Sequence, residues 1–232
     1  MEIKGFTKTS LVDWDGKIAS VIFLPFCNFS CGFCHSSELV KNPKKLSNIP
    51  ESFIFDFLKG KKGWIDGVVI TGGEPTLHGE KLTKISKKIK KLGFLVKLDS
   101  NGTNPELLEK LIKENIVDYI AMDIKTSKEK YEKATSTKVD IKKINQSVEI
   151  LLKGKVDYEF RTTVVPGLVE KEDIIKIGEW IKGAKLYALQ QFRNIDVADK
   201  KFEKVKPYPK EKLEEFGKLL KRKVKKIKIR AS

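Results

Sequence analysis

Sulfur ligands are scarce in this chain. Its 232 residues include three cysteines, Cys27, Cys31 and Cys34, all within the stretch FCNFSCGFCHSS at 26–37. Three thiols cannot pair off completely into disulfides, and they cannot close a four-coordinate metal site unaided. Arginine is nearly as rare, occurring only at 161, 193, 222 and 230, although the net charge is +16. The positive excess is therefore lysine, mingled with glutamate in stretches such as GEKLTKISKKIKKLG, and aromatics do not interleave with it. This pattern fits a solvated Lys/Glu-rich surface better than a nucleic-acid face, so nucleic acid is not an expected partner; an acidic protein surface would also suit it. Long apolar runs are missing too. IASVIFLPF is far too short to span a bilayer, so no membrane association is expected. The opening MEIKGFTKTS has neither an apolar signal core nor a cleavage pattern, and a cytoplasmic protein is expected. No linker or low-complexity segment interrupts the chain, so the expectation is a single domain over 1–232.

What the chain does have is alternation. Short β-branched runs at 17–24, 67–71, 94–100, 117–125, 157–165 and 184–192 read as strands. Between them lie amphipathic stretches at 50–59, 80–92, 141–153, 171–182 and 209–223. In 80–92 the apolar residues Leu82, Ile85, Ile89 and Leu92 recur at helical spacing. Another helix starts at NPELLEKLIKEN, with Asn104 as cap and Pro105 in the first turn. Six strand-then-helix units predict an α/β fold with a parallel sheet, either open and doubly wound or an incomplete (β/α)6 barrel. Near the end, VKKIKIR alternates as a strand does, though a basic docking tail is the competing reading. In either architecture, function gathers at the C-terminal ends of the strands.

The unusual residues fall there. The three cysteines follow the first predicted strand in CxxxCxxC spacing, and thiolates suit zinc, copper(I) or iron–sulfur clusters. His35 is a poor fourth ligand because it adjoins Cys34; a [4Fe–4S] cluster with one iron open is the stronger reading. At the second strand, VVITGGEPTL brings Gly72 and Gly73, which allow close backbone approach, and Glu74, which can accept from an ammonium group. His78 nearby reads only as a loop residue. VKLDSNGTN places Asp99, Ser100 and Asn101 at the third strand end. AMDIKTS carries Asp123 and Lys125 at the fourth, and EFRTTVVPG carries Arg161 in the fifth. Charges within apolar strands must be paired or liganded. Asp99 and Asp123 can therefore hold a hard cation, or Lys125 can neutralise Asp123.

CxxxCxxC with Phe33 before the last cysteine, followed by GGEP in the right order, resembles the radical S-adenosylmethionine superfamily. The stretch from GFTKTSLVDWDGK through LDSNG and MDIK to VVPGL is similar to its glycyl-radical-enzyme activating branch. That branch includes the activases of pyruvate formate-lyase and of anaerobic ribonucleoside-triphosphate reductase. The likeness spans about residues 5–170. One departure is Asp15 before Gly16, where relatives carry proline. The resemblance implies that Cys27, Cys31 and Cys34 hold a [4Fe–4S] cluster and that S-adenosylmethionine binds the open iron. It assigns Gly72, Gly73 and Glu74 to the methionyl amine, and Lys125, with Arg161 as a further contact, to the cosubstrate. Ser100 and Asn101 lie near the ribose, Phe33 and His35 flank the adenine, and Asp99, Ser100 and Asp123 match a monovalent-cation site. The implied reaction yields a 5′-deoxyadenosyl radical that takes hydrogen from a glycine of a partner enzyme, with anaerobic ribonucleotide reductase the first choice. A flavodoxin or ferredoxin would supply the electron. Action on a small molecule or tRNA is the alternative.

Overall fold

The structure, a computed structural model, describes residues 1–231. The chain is α/β, with a mostly parallel, unclosed sheet whose strand order is the chain order. It falls into two compact units. The first comprises Met1–Asn28, Ser36–Ile120 and Lys155–Asp157; the second takes Phe29–His35, Ala121–Gly154 and the chain from Tyr158 onward.

In the first unit, β1 (Gly5–Ser10) runs antiparallel to β2 (Ala19–Leu24), and β3 (Gly67–Gly72) and β4 (Leu95–Ser100) continue in parallel. The register Leu24↔Gly72 and Ile70↔Leu98 brings the ends of β2, β3 and β4 to one level. Helices α1 (Ser37–Lys41), α2 (Glu51–Lys59), α3 (Glu80–Lys91) and α4 (Pro105–Lys113) connect them. Ala19, Val21, Ile22 and Leu24 of β2 are all fully buried, as are Val68, Val69 and Ile70 of β3. Such unbroken burial is expected of parallel strands covered on both faces. Asn104 caps α4 as its sequence indicates, its side chain accepting from the Leu107 N–H at 3.2 Å. Lys97 is buried within β4; its ammonium donates to the Asp13 carbonyl, lies 3.5 Å from Asp99 and sits over the Tyr119 ring.

β5 (Tyr119–Asp123) crosses the boundary between the two units. The second unit contains α5 (Tyr131–Thr135), α6 (Ile141–Leu152), all but the first residue of β6 (Asp157–Val164), α7 (Lys171–Trp180), β7 (Tyr187–Gln191), α8 (Lys210–Leu219) and β8 (Ile227–Arg230). β6, β7 and β8 pair in parallel, from Phe160↔Tyr187 to Gln190↔Arg230. Arg230 clamps the buried Glu159 with two hydrogen bonds, 3.1 and 2.7 Å long.

Two features correct the expected set of six parallel strands. VKKIKIR does end in a strand, β8. β1 is an additional antiparallel edge with the sequence GFTKTS. Its polar alternation and exposed middle carry little of the apolar signal that marks the other strands. Among the described residues, no helix is long and apolar enough to cross a membrane.

Candidate functional site

In the first unit, the glycine turn is pressed against the root of the cysteine loop. The Gly73 N–H donates to the Leu24 carbonyl at 2.9 Å, and the Glu74 N–H donates to the Phe26 carbonyl at 2.7 Å. A Cβ on Gly73 would lie 1.8 Å from the Phe26 oxygen, and one on Gly72 would lie 2.3 Å from the Leu24 oxygen. Gly72 also has φ +118°, which L side chains rarely adopt. The close backbone approach that Gly72 and Gly73 allow is made here with the protein's own Leu24 and Phe26. Phe26 itself sits at φ 68°, uncommon for a bulky side chain, immediately before Cys27. His78, which has no evident role in the sequence, donates from Nε2 to the Pro25 carbonyl at 3.0 Å and so ties the second loop to the first.

Glu74 is buried and braces two strand ends. Its Oε1 accepts from the Thr76 N–H at 3.0 Å, the Thr76 hydroxyl at 2.6 Å and the Ser100 hydroxyl at 3.0 Å. Its Oε2 accepts from the Asn101 N–H at 2.6 Å. Burial pushes this carboxyl upward, while the four donated bonds favour its charged form. Each oxygen meets one backbone N–H, which can only donate. Glu74→Gln must therefore set its amide nitrogen against one of those N–H groups. We expect a loss of about 1–3 kcal/mol, as for a buried donor left without an acceptor. Urea unfolding of the apoprotein would measure it, and an unchanged midpoint would contradict the brace.

Ser100 also accepts from the Gly102 N–H at 3.1 Å. The Asn101 carboxamide is held by Asn28, Thr103 and Cys27. Both side chains expected near a ribose are thus engaged within the protein.

In the second unit, the rest of the cysteine loop is stitched to other segments by its backbone. Ser30 N–H donates to the Thr135 carbonyl at 2.9 Å, Asp199 N–H to Gly32 at 2.9 Å and Ala198 N–H to Cys34 at 3.0 Å. Phe33 is buried edge-on against Phe202, with ring centroids 6.1 Å apart, and Phe29 meets Tyr131 similarly. His35 is exposed and donates from Nε2 to the Arg193 carbonyl at 2.9 Å. Phe33, expected to flank the adenine, is thus also packed within the protein. Burial pushes the Cys31 thiol up, an effect opposed by the Lys125 ammonium. None of the three cysteines is in a disulfide.

Asp123 is held by two cations. Its Oδ2 accepts from Lys125 Nζ at 2.9 Å and its Oδ1 from Arg161 Nε at 2.9 Å. The choice the sequence leaves open, pairing or a ligand, appears here as pairing, with Arg161 added. Burial would raise the Asp123 carboxyl, but Arg161 and Lys125 outweigh it and hold it at about 2. The same partnership holds Lys125 well above the ordinary lysine range, against the effect of burial. An unfolded aspartate titrates near ~3.9. The ion pairs' contribution is therefore complete above about pH 4 and disappears as the pH falls through the folded value. With a quarter of the side chain exposed, we expect about 2 kcal/mol. Urea midpoints between pH 2 and 5 should show this acid loss in the wild type and not in Asp123→Asn; parallel curves would refute it. Among the described residues, no three His, Cys, Asp or Glu side chains are grouped to hold a single metal ion.

Comparison with known proteins adds to this geometry. The family described as the Radical SAM superfamily matches residues 21–181. A "Putative glycyl-radical enzyme activating enzyme" of Methanocaldococcus jannaschii is 38% identical over 234 residues, covering 98% of this chain and 95% of that protein. A pyruvate formate-lyase-activating enzyme of Streptococcus mutans is 29% identical over 184 residues, covering 75% of this chain and 69% of the other. In fold, Streptococcus suis SuiB, solved bound to S-adenosylmethionine, aligns with a TM-score of 0.68 at 13% identity. That alignment covers 91% of this chain and 52% of SuiB.

Proposed function

The chain belongs to the radical S-adenosylmethionine superfamily, in its glycyl-radical-enzyme activating branch, and from that premise we propose that it activates an anaerobic ribonucleotide reductase. The superfamily carries a [4Fe–4S] cluster and S-adenosylmethionine. When bound, these supply the electron and the 5′-deoxyadenosyl radical that takes a hydrogen atom from a backbone glycine. The donor set fits: three thiols outside any disulfide stand within eight residues of sequence, and an amide N–H is turned towards Cys27.

In this reading Cys27, Cys31 and Cys34 hold three irons. Gly72, Gly73 and Glu74 present the turn to the methionyl group, where Oε2 of Glu74, with one donor already in place, keeps accepting capacity for an ammonium. Ser100 and Asn101 line the same strand end, and Phe33 provides an apolar wall. Lys125 and Arg161 face the cosubstrate's carboxylate side. A monovalent cation at Asp99 and Asp123 requires the ion pairs of Asp123 to open, because both of its oxygens now serve Lys125 and Arg161. One domain over 1–232, a cytoplasmic setting that keeps the thiols reduced and a flavodoxin or ferredoxin donor complete the proposal.

The observation that supports the reading, as far as activation of a glycyl radical enzyme, is the near full-length match to a putative glycyl-radical enzyme activating enzyme. It is tested by anaerobic reconstitution, reduction and incubation with S-adenosylmethionine and candidate glycyl radical enzymes, followed by electron paramagnetic resonance. A glycyl radical on the ribonucleotide reductase is expected. A radical on another glycyl radical enzyme alone would move the partner. Cleavage with no radical on any of them would favour a small-molecule or tRNA substrate.

A further inference from the structure

Asn28, Asn101 and Thr103 close a ring of side-chain hydrogen bonds beside Cys27. Asn28 Nδ2 donates to Thr103 Oγ1 at 2.9 Å, Thr103 Oγ1 donates to Asn101 Oδ1 at 2.7 Å, and Asn101 Nδ2 donates to Asn28 Oδ1 at 2.8 Å. The backbone N–H of Thr103 also donates to Asn101 Oδ1, at 3.1 Å. A backbone N–H cannot accept, so this contact decides which end of the Asn101 carboxamide is oxygen. The nitrogen must then face the other way. One of its hydrogens serves Asn28, and the other is directed at Cys27 Sγ, 3.9 Å away. All four hydrogen-bonding positions of this buried amide are assigned, and none is left to turn it round.

The turn from Asn101 to Thr103 would account for the oxygen side alone. It does not require Asn28, which lies within the CxxxC spacing, nor a nitrogen aimed at a ligand sulfur. We infer that Asn101 is a positioning residue for the cluster, holding an N–H against the Cys27 sulfur, and that Asn28 and Thr103 lock that orientation. This rests on the reading of Cys27 as a cluster ligand. Reduction adds an electron to the cluster and negative charge to its sulfurs. An N–H donor favours the reduced state and raises the reduction potential. The orientation matters because the opposite end of the same amide would present oxygen to sulfur and have the reverse effect.

The test is the midpoint potential of the reconstituted cluster, followed by electron paramagnetic resonance during a redox titration, with iron content measured on each sample. Asn101→Ala should shift the potential downward, and Asn101→Asp further, since it sets a carboxylate against the sulfur. Thr103→Val should shift it in the same direction but less: the backbone N–H of residue 103 still fixes the amide's orientation, but its oxygen loses the Oγ1 donor and Asn28 Nδ2 loses its acceptor, so the N–H is held less firmly against the sulfur. Thr103 does not touch the sulfur, so that variant decides the matter if Asn101→Ala takes up no iron. Wild-type potentials at full iron content in Asn101→Ala, or in Thr103→Val when it must decide, would overturn the inference. A wild-type protein that takes up no cluster would instead sink the reading on which it rests.

Discussion

Alanine at any one of Cys27, Cys31 or Cys34 is expected to bring reductive cleavage of S-adenosylmethionine down to the background without unfolding the protein. The two halves of that expectation have different causes. Catalysis fails because the chain has three thiols and no spare: losing one leaves an iron with no protein ligand, and no other cysteine can replace it. The fold survives because the apoprotein asks little of these sulfurs. Cys31 is buried, and burial keeps its thiol in the neutral form, so it packs as a small apolar side chain. Cys27 and Cys34 are only half-buried. A cysteine-to-alanine exchange at such sites removes one sulfur's worth of contact, about 1 kcal/mol. The loop's position is set by backbone bonds, from Ser30, Ala198 and Asp199 in one unit and from Glu74 in the other, and alanine leaves them in place. The measurements are 5′-deoxyadenosine formed under reductant, iron content and the apoprotein's urea midpoint. A variant that kept wild-type cleavage would show that its cysteine is not a ligand.

Much of this arrangement is legible in the amino-acid order, and what is not has a physical reason. Strands β2 to β7 announce themselves because they are largely buried, so runs such as ASVIFL are apolar almost throughout. β1 escapes because GFTKTS is an edge whose middle residues face solvent. The placement of GGEP at a strand end, with Glu74 as its acidic group, is visible in the sequence. That Glu74 braces Thr76, Ser100 and Asn101 is not, because those bonds depend on the register that levels β3 with β4. Asp123 and Arg161 illustrate the same limit. Sequence shows that each charge needs a partner; only the fold shows that they are partners of each other, 38 residues apart. Asn28 gives no signal at all, since an asparagine between two cysteines looks like any loop residue until Thr103 and Asn101 arrive beside it.

Gly73→Ala should be among the most damaging single-methyl changes in the first unit. The added Cβ meets backbone on its near side: the Phe26 carbonyl oxygen at 1.8 Å and its carbon at 2.5 Å, with the Cys27 nitrogen at 3.3 Å. A flexible side chain could swing away, but a carbonyl moves only with its peptide plane. Here that plane is held by the Glu74 N–H and sits on a residue already at φ 68°. Relief therefore means shifting the segment that carries Cys27 or breaking the bond from Glu74. We expect about 2–4 kcal/mol of destabilisation in the apoprotein, at the upper end for overpacking. Iron uptake should fall with it. Gly79→Ala provides the contrast. Gly79, unlike Gly73, has a positive φ, +50° with ψ −123°, which L side chains rarely adopt, yet a Cβ there meets nothing within 4 Å. Conformational strain alone should cost it about 1–3 kcal/mol and leave iron uptake intact. If urea unfolding and iron content show the two variants alike, the glycine at 73 is not there to let the cysteine loop close against the turn. If Gly73→Ala loses iron uptake and Gly79→Ala keeps it, the turn's first task is to hold the root of the cysteine loop, and any contact with the cosubstrate is built on that hold.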